Sequence, residues 1–483
     1  MNFYNRVLAN LEKDVLSLVS PDGYFSAGDL RDSVSRYESM LTPLNIEGKR
    51  VALLIPSLKE FLPLFLAANK LKGTVSPLSW QFRQDDLLNV LDFLDPHIVL
   101  TVDEHNGFAF SETVTNWAKS KDSETTVVTS KNGVDWELNT FKGSSKKLQS
   151  DLGGFITFTS GSTGTPKGIV FKDSVFDYGS KKVLEAMNIK PADNVFVYAS
   201  PSTLYGVVAM NSMLKFGATL VVSNDFDLVK IIDTMEKSNC NKFTTTPSIF
   251  KALYNFASRL KPEVLKKLEL VCVIGEKIPA NFKSNFPLMK KCTFISHYGS
   301  SESGSLANVC LNENSEELEF TIANEIEYKT VDNELLVKTR GLFTEYYNNP
   351  NITSEAFKDG WFKMGDLVEF TGYKTFKLVG RKKDVIKKGG QQVVSSEVEQ
   401  ILSSIKGIMS VAVVGLPHDI YGEQVVAFVI ADGLNSKDIR SYCSGRVASF
   451  KIPDQIVFVE EFPLTQGKVD KIKLKSLLER GNN

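Results

Sequence analysis

Residues 156–171 read ITFTSGSTGTPKGIVF. A run of β-branched and aromatic residues, ITFT, stops abruptly, and strand-like sequence resumes only at IVF. Between them lie Ser, Thr, Gly, Pro and a single cation, Lys167. Three physical readings fit such a stretch. In a phosphate loop, glycines let backbone N–H groups converge on an anion, hydroxyls add donors and a lysine adds charge. It is not a Walker A loop, which requires G-x-x-x-x-G-K-[ST], because Pro166 precedes Lys167 and Gly168 follows it. In an amide hydrolase, Ser160 or Ser162 would be the nucleophile, although no G-x-S-x-G elbow frames either. In an ordinary surface turn the same residue types dominate without any function. Taken alone, the stretch leaves all three open.

Around it, strands alternate with helices. RVALLIP (50–56) predicts a buried strand, KEFLPLFLAANKL (59–71) a helix and HIVLT (97–101) a further strand. Strands at 194–200, 218–223, 242–246, 268–275 and 292–296 alternate with helices at 203–215 and 227–238, from Pro247 and from Pro279. Such alternation predicts parallel sheets covered by helices, with ligands bound beyond the carboxyl ends of the strands. Residues 313–334 are acidic and strand-like, and 374–388, KTFKLVGRKKDVIKK, hold seven Lys or Arg. The bland reading of that basic run is a solvated strand pair next to a domain boundary. Beyond it, SSEVEQIL reads as a capped helix, SVAVVGLP and QVVAFVIAD as strands, and a helix begins near 436, giving a small α+β unit.

At 483 residues the chain exceeds the usual size of one hydrophobic core. A formal net charge of -1 provides no field for nucleic acid or an anionic membrane. Five cysteines include no C-x-x-C pair, and the four histidines show no metal-ligand spacing. MNFYNRVLANLEKD lacks a signal-peptide core, and FLPLFLAANKL is too short to span a bilayer. The expectation is a soluble cytoplasmic protein that binds neither nucleic acid nor membrane.

Five motifs in order carry a resemblance. TSGSTGTPKG, HYGSSES (297–303), GWFKMGDL (360–367), GRKKDVIKKGGQQVVSSEVE (380–399) and FPLTQGKVDK (462–471) resemble those of the adenylate-forming superfamily. That superfamily comprises acyl- and aryl-CoA synthetases, luciferases and the adenylation domains of peptide synthetases. GKRVALLIPSLKEFLPLFLAANKLKG also looks like its N-terminal pattern, so the resemblance covers nearly the whole chain. It implies an α/β fold with a large N-terminal domain, residues 1–382, of parallel-sheet layers plus a small β-barrel-like part. A smaller mobile α+β domain, 383–483, would follow.

The implied chemistry joins a carboxylate to the α-phosphate of ATP, with Mg2+, and then passes the acyl group to the pantetheine thiol of CoA or of a carrier protein. Two anions meet in the first step, so the site must supply positive charge and fixed donors. By the resemblance, Thr159, Ser160, Gly161, Ser162, Thr163, Gly164 and Lys167 would cradle the β- and γ-phosphates. Gly275, Glu276, Lys277, Tyr298, Gly299 and Ser300 would also bind ATP, with Tyr298 stacked on adenine. Glu302 would hold the magnesium ion, as a hard carboxylate oxygen suits it. Ser301 stands where the family has Thr and would reach a phosphate or the metal. Asp366 would accept hydrogen bonds from the ribose hydroxyls, and Arg381 would contact the ribose or phosphate region.

Lys468 is the implied catalytic lysine, bridging substrate carboxylate and α-phosphate. A unit charge at about 4 Å is worth roughly 4 kcal/mol at an effective dielectric near 20, so its loss should cost at least about a hundredfold in rate. PLTQGK is one residue shorter than the family's spacing between Thr and Gly-Lys, which alters the loop path rather than the lysine. Lys383 occupies the family's hinge position, and Gly389 and Gly390 would approach the pantetheine tunnel.

For the acid pocket the candidates are Ser200, Tyr205, Gly206, Asn211 and His297, with helix packing the alternative role for Ser200, Tyr205 and, above all, Asn211. Many fatty-acid and coumarate-type enzymes of the family have P-x-x-H-x-x-G where this chain has Leu204 and Tyr205. YGVVAMNSMLKFGAT and VIGEKIPANF look more like benzoate-type aryl-CoA ligases, whereas PLTQGKVDK looks more like peptide-synthetase domains. The expected substrate is a small aromatic acid; an amino acid or short fatty acid is the alternative. A Ser-nucleophile hydrolase and a nucleotide-binding relative without catalysis stand as competing readings.

Overall fold

In the computed structural model, the described residues are 3–131, 135–144, 154–159, 166–276, 278, 281–313, 317–389, 391–444, 447–465 and 468–479. The chain forms two compact units, Met1–Glu317 with Thr339–Glu355, and Leu318–Lys338 with Ala356–Asn483. The boundary expected at residue 382 thus falls inside the second unit. The helix Ser395–Ser403 is tied to the strand Thr375–Arg381, Ser396 Oγ donating to the Val379 carbonyl at 2.7 Å.

The first unit contains two sheets. In one, the strands Leu16–Ser20, Thr219–Val221, Asn194–Val197, Lys242–Thr245, Leu270–Val273 and Thr293–Ser300 lie side by side and parallel. Gly304–Leu311 runs antiparallel beside Thr293–Ser300, and Gly23–Ser26 closes the opposite edge. Connecting helices such as Leu204–Lys215 and Pro247–Leu260 are capped by Thr203 and Thr246, whose hydroxyls accept from Gly206 N and Ile249 N. In the second sheet Arg50–Leu54, Thr74–Pro77, Ile98–Val102 and Thr125–Ser130 run parallel, and Thr74–Pro77 meets Phe155–Thr159. These central strands are buried on both faces, as the unbroken apolar run RVALL requires.

Around residues 281–289 the expected helix is replaced by two 3-10 turns, Phe282–Asn285 and Pro287–Met289. Pro287 lacks an N–H and holds Phe286 out of the helical region, at φ -121° and ψ 63°. The freed Phe286 ring stacks on Phe294, centroids 5.3 Å apart.

The second unit contains two main groups of strands. In one, Glu327–Val331, Glu334–Lys338, Trp361–Gly372, Thr375–Arg381 and Phe320–Ile322 lie side by side and antiparallel. Gln391–Val394, Val385–Lys388, Gly422–Ala431 and Ile408–His418 form the other, with Gln455–Phe458 parallel to Gly422–Ala431. Val413, Val425, Ala427, Val429, Val398 and Leu402 build its core. Among the described residues no helix is long and apolar enough to cross a membrane, and all five cysteines are free.

Candidate active site

Lys167 opens the strand Lys167–Phe171, which pairs antiparallel with Phe155–Thr159 on one side, Thr159 opposite Lys167. On its other side lies Glu345–Tyr346, with Tyr346 opposite Ile169. Side chains alternate along a strand, so Lys167, Ile169 and Tyr346 share one face. Lys167 Nζ accordingly sits 3.7 Å from the centroid of the Tyr346 ring.

Glu302 reaches the same place from the turn between Thr293–Ser300 and Gly304–Leu311. Ser300 Oγ accepts from Glu302 N and Ser303 N, both at 3.2 Å, and Ser303 Oγ accepts from Ser300 N at 3.1 Å. Phe343 N donates to the Glu302 carbonyl at 2.7 Å. The Glu302 carboxylate accepts from Tyr346 Oη at 2.8 Å, and its Oε1 lies 3.6 Å from Lys167 Nζ. Burial raises the Tyr346 phenol far above its ordinary pKa, and the charge of Glu302 raises it further. The phenol therefore remains a donor at any physiological pH. Ser301 is half-buried in the same turn.

Gly275, Glu276, Tyr298, Gly299 and Ser200 lie at or just beyond the carboxyl ends of the parallel strands, the ligand-binding edge of such a sheet. Gly275 follows Leu270–Val273 at φ +85°, and the Glu276 carboxylate accepts from Ser248 N at 3.1 Å and from Ser248 Oγ. Tyr298 is buried next to Gly299, where an added Cβ would meet the Gly304 carbonyl oxygen at 1.9 Å. His297 Nδ1 lies 2.8 Å from Ser305 Oγ. Its Nε2 is buried and has no hydrogen-bond partner among the described residues. Burial, and then the charge of Lys182, lower the His297 pKa to about 4.

Ser200 Oγ lies 2.7 Å from Ser202 Oγ, and the Ser200 carbonyl accepts from Thr203 Oγ1 at 2.8 Å. Gly206 admits this loop, since a Cβ there would stand 1.9 Å from the Ser200 carbonyl oxygen. Tyr205 Oη is 2.7 Å from Thr244 Oγ1, which fixes its ring. Asn211 is fully buried in the helix, its Nδ2 donating to the Val207 carbonyl at 2.8 Å, while its Oδ1 has no hydrogen-bond partner among the described residues.

In the second unit Asp366 and Arg381 face each other on neighbouring strands, Arg381 Nε donating to Asp366 Oδ1 at 2.7 Å. Lys383 is exposed on the 3-10 turn Lys382–Asp384. Gly389 is left-handed, at φ +56°, and its N–H donates to the Tyr421 carbonyl at 2.8 Å. Lys468 lies on the two-residue strand Lys468–Val469, with Thr465 opposite it. Of Thr159 and Lys468 the backbone alone is described. Ser160, Gly161, Ser162, Thr163, Gly164, Lys277 and Gly390 lie outside the described residues.

Tyr346 is the site residue that sequence reasoning missed. It is one of 14 tyrosines, and nothing in its neighbourhood separates it from an ordinary buried aromatic. Only strand register reveals that it shares a face with Lys167.

A lysine and a phenol on antiparallel strands at the edge of one sheet, met by a carboxylate from a turn of the other, fit the class of adenylate-forming enzymes. The chain belongs to the AMP-binding enzyme family, whose model matches residues 6–347, with the family's C-terminal domain model matching 397–468. It is an ATP-using, acid-activating ligase of the AMP-forming kind. It is 25% identical over 484 residues to the long-chain-fatty-acid–CoA ligase FadD13 of Mycobacterium tuberculosis, covering 94% of this chain and 93% of that protein. It is also 25% identical over 328 residues to the 2-succinylbenzoate–CoA ligase of Listeria monocytogenes, covering 66% and 69%. ATP-bound MatB from Rhodopseudomonas palustris shares the fold at a TM-score of 0.85, with 22% identity and 100% of both chains covered.

Proposed function

We propose that the chain activates a small aromatic carboxylic acid, of benzoate, hydroxybenzoate or aminobenzoate type, and transfers it to the thiol of CoA. A carrier-protein pantetheine is the alternative acceptor. A carboxylate oxygen attacks the α-phosphorus, the bond to the β-phosphate oxygen breaks and pyrophosphate leaves. The thiolate then attacks the acyl carbon and AMP leaves with the electron pair.

The observation that carries the adenylation reading is the meeting of Lys167 and Glu302, 3.6 Å apart, from separate sheets of the first unit. Lys167 takes the β- and γ-phosphates. Glu302 fits a magnesium ion: Tyr346 occupies Oε1, while Oε2 has no hydrogen-bond partner among the described residues. Among the described residues no group of three or more His, Cys, Asp or Glu forms a metal cage. An ion held by one carboxylate and the substrate phosphates needs none. When bound, Mg2+ supplies neutralisation of phosphate charge. Tyr298 stacks on adenine, Asp366 and Arg381 bind the ribose, and Lys468 bridges carboxylate and α-phosphate. Lys383 is the pivot between the half-reactions, and Gly389 and Gly390 admit pantetheine.

The aromatic reading is supported by the fixed ring of Tyr205 beside Ser200 and Gly206, and by a relative named for 2-succinylbenzoate. The relative named for long-chain fatty acids, matched over 94% of this chain, favours an aliphatic acid as the second reading. ATP–pyrophosphate exchange across aryl, amino, short and long fatty acids decides between them. The expected result is exchange driven best by an aryl acid and reduced at least about a hundredfold in Lys468→Ala. Exchange with fatty acids alone selects the second reading. No exchange with any acid overturns both.

A further inference from the structure

We infer that Tyr346 is a positioning residue that holds Lys167 and Glu302 apart and in register for Mg·ATP. The inference rests on the assignment of phosphate to Lys167 and the metal to Glu302. One side chain touches both groups by different means. The phenol donates to Glu302 Oε1 at 2.8 Å, and the ring face takes Lys167 Nζ at 3.7 Å from its centroid. Tyr346 itself is 4% exposed, and its ring lies 4.6 Å from that of Phe343.

A free Lys–carboxylate pair closes to about 2.7–2.9 Å, each group neutralising the other. Here the separation is 3.6 Å. The ring offers the ammonium a second attraction, strong where water is scarce. The hydroxyl fixes one carboxylate oxygen and leaves Oε2 to accept a cation. A directly closed pair would have to be broken before phosphate and metal could bind, so Tyr346 keeps Lys167 and Glu302 from closing on each other. The backbone supports this placement, because Tyr346 pairs with Ile169 two residues beyond Lys167 and Phe343 N holds the Glu302 carbonyl.

Calorimetric ATP binding, with and without Mg2+, tests the inference on the full chain. Tyr346→Phe keeps the ring and removes the donor. It should lose about tenfold of the affinity that Mg2+ adds, as expected for a hydrogen bond to a charged group, with Mg2+-free ATP binding nearly unchanged. Tyr346→Leu removes the ring as well and should weaken ATP binding in both conditions. The KM for the acid should stay within about twofold in Tyr346→Phe. A merely structural tyrosine would lower the melting temperature without changing the gain from Mg2+. Wild-type affinity that Mg2+ does not raise, or a Tyr346→Phe protein that retains the full Mg2+ gain, overturns the inference. Loss of that gain in Tyr346→Phe supports it even where no acid drives exchange, a result that would overturn only the proposed reaction.

Discussion

Arg381 Nε donates to Asp366 Oδ1 at 2.7 Å from the strand directly beside it. The two partners are unequally placed: Asp366 is 4% exposed, whereas the Arg381 side chain is 49% exposed. Removing the arginine takes a charged partner from a buried carboxylate, while removing the aspartate leaves a half-exposed arginine in contact with water. Arg381→Ala should therefore destabilise the second unit by about 1–3 kcal/mol, and Asp366→Asn by less. The ribose role makes the opposite ranking for substrate. The wild type should prefer ATP to 2′-deoxy-ATP by about tenfold or more, and Asp366→Asn should lose that preference. Urea unfolding and pyrophosphate exchange with the two nucleotides measure these separately. A preference for ATP undiminished in Asp366→Asn would remove the aspartate from the ribose site.

Gly299 and Gly206 are required by close backbone approach. A Cβ at either would stand 1.9 Å from a carbonyl oxygen, of Gly304 and of Ser200 respectively. Backbone cannot yield as a flexible side chain can, so Gly299→Ala and Gly206→Ala should each cost at least about 1–3 kcal/mol. Gly299→Ala should also depress exchange, because the tight hairpin carries Tyr298 on one side and the Glu302 turn on the other. Melting temperature and exchange rate test this together. A Gly299→Ala protein with wild-type stability would show that the hairpin opens at little cost.

Much of the fold was legible because its strands are buried on both faces and so read as unbroken apolar runs, as Arg50–Leu54 and Leu270–Val273 do. The helix from Pro247 was legible because proline at the first position is compatible with a helix start. The same logic failed over 281–289 (Pro279 itself lies outside the described residues), where Pro287 and the packing of Phe286 on Phe294 favour two short turns. The basic run 374–388 lies largely on strands, as expected, but three of its lysines meet carboxylates. Lys377 lies 3.7 Å from Glu319, Lys382 2.7 Å from Glu334 and Lys388 2.6 Å from Asp454. Those partners are distant in sequence, so no local pattern could name them. Tyr346 was invisible for the same reason: its role arises from cross-strand register, which a single strand does not encode.

His297 should make stability depend on pH in one definite direction. Its Nδ1 lies 2.8 Å from Ser305 Oγ, its Nε2 is buried, and burial together with the charge of Lys182 lowers its pKa to about 4. An unfolded histidine titrates near 6.5. Above about pH 6.5 neither state holds the extra proton, so the residue contributes no pH dependence there. Between about pH 6.5 and pH 4 the unfolded chain binds a proton that the folded chain refuses. Stability from this residue is therefore intact at neutral pH and falls as the pH drops through that window, by up to about 3 kcal/mol. Other groups titrate in the same range, so the quantity to measure is the difference between the wild type and His297→Gln. Urea midpoints between pH 4.5 and pH 7.5 should fall more steeply on acidification for the wild type, with the two curves converging towards low pH. Parallel curves would mean that His297 accepts its proton in the folded protein as easily as in water.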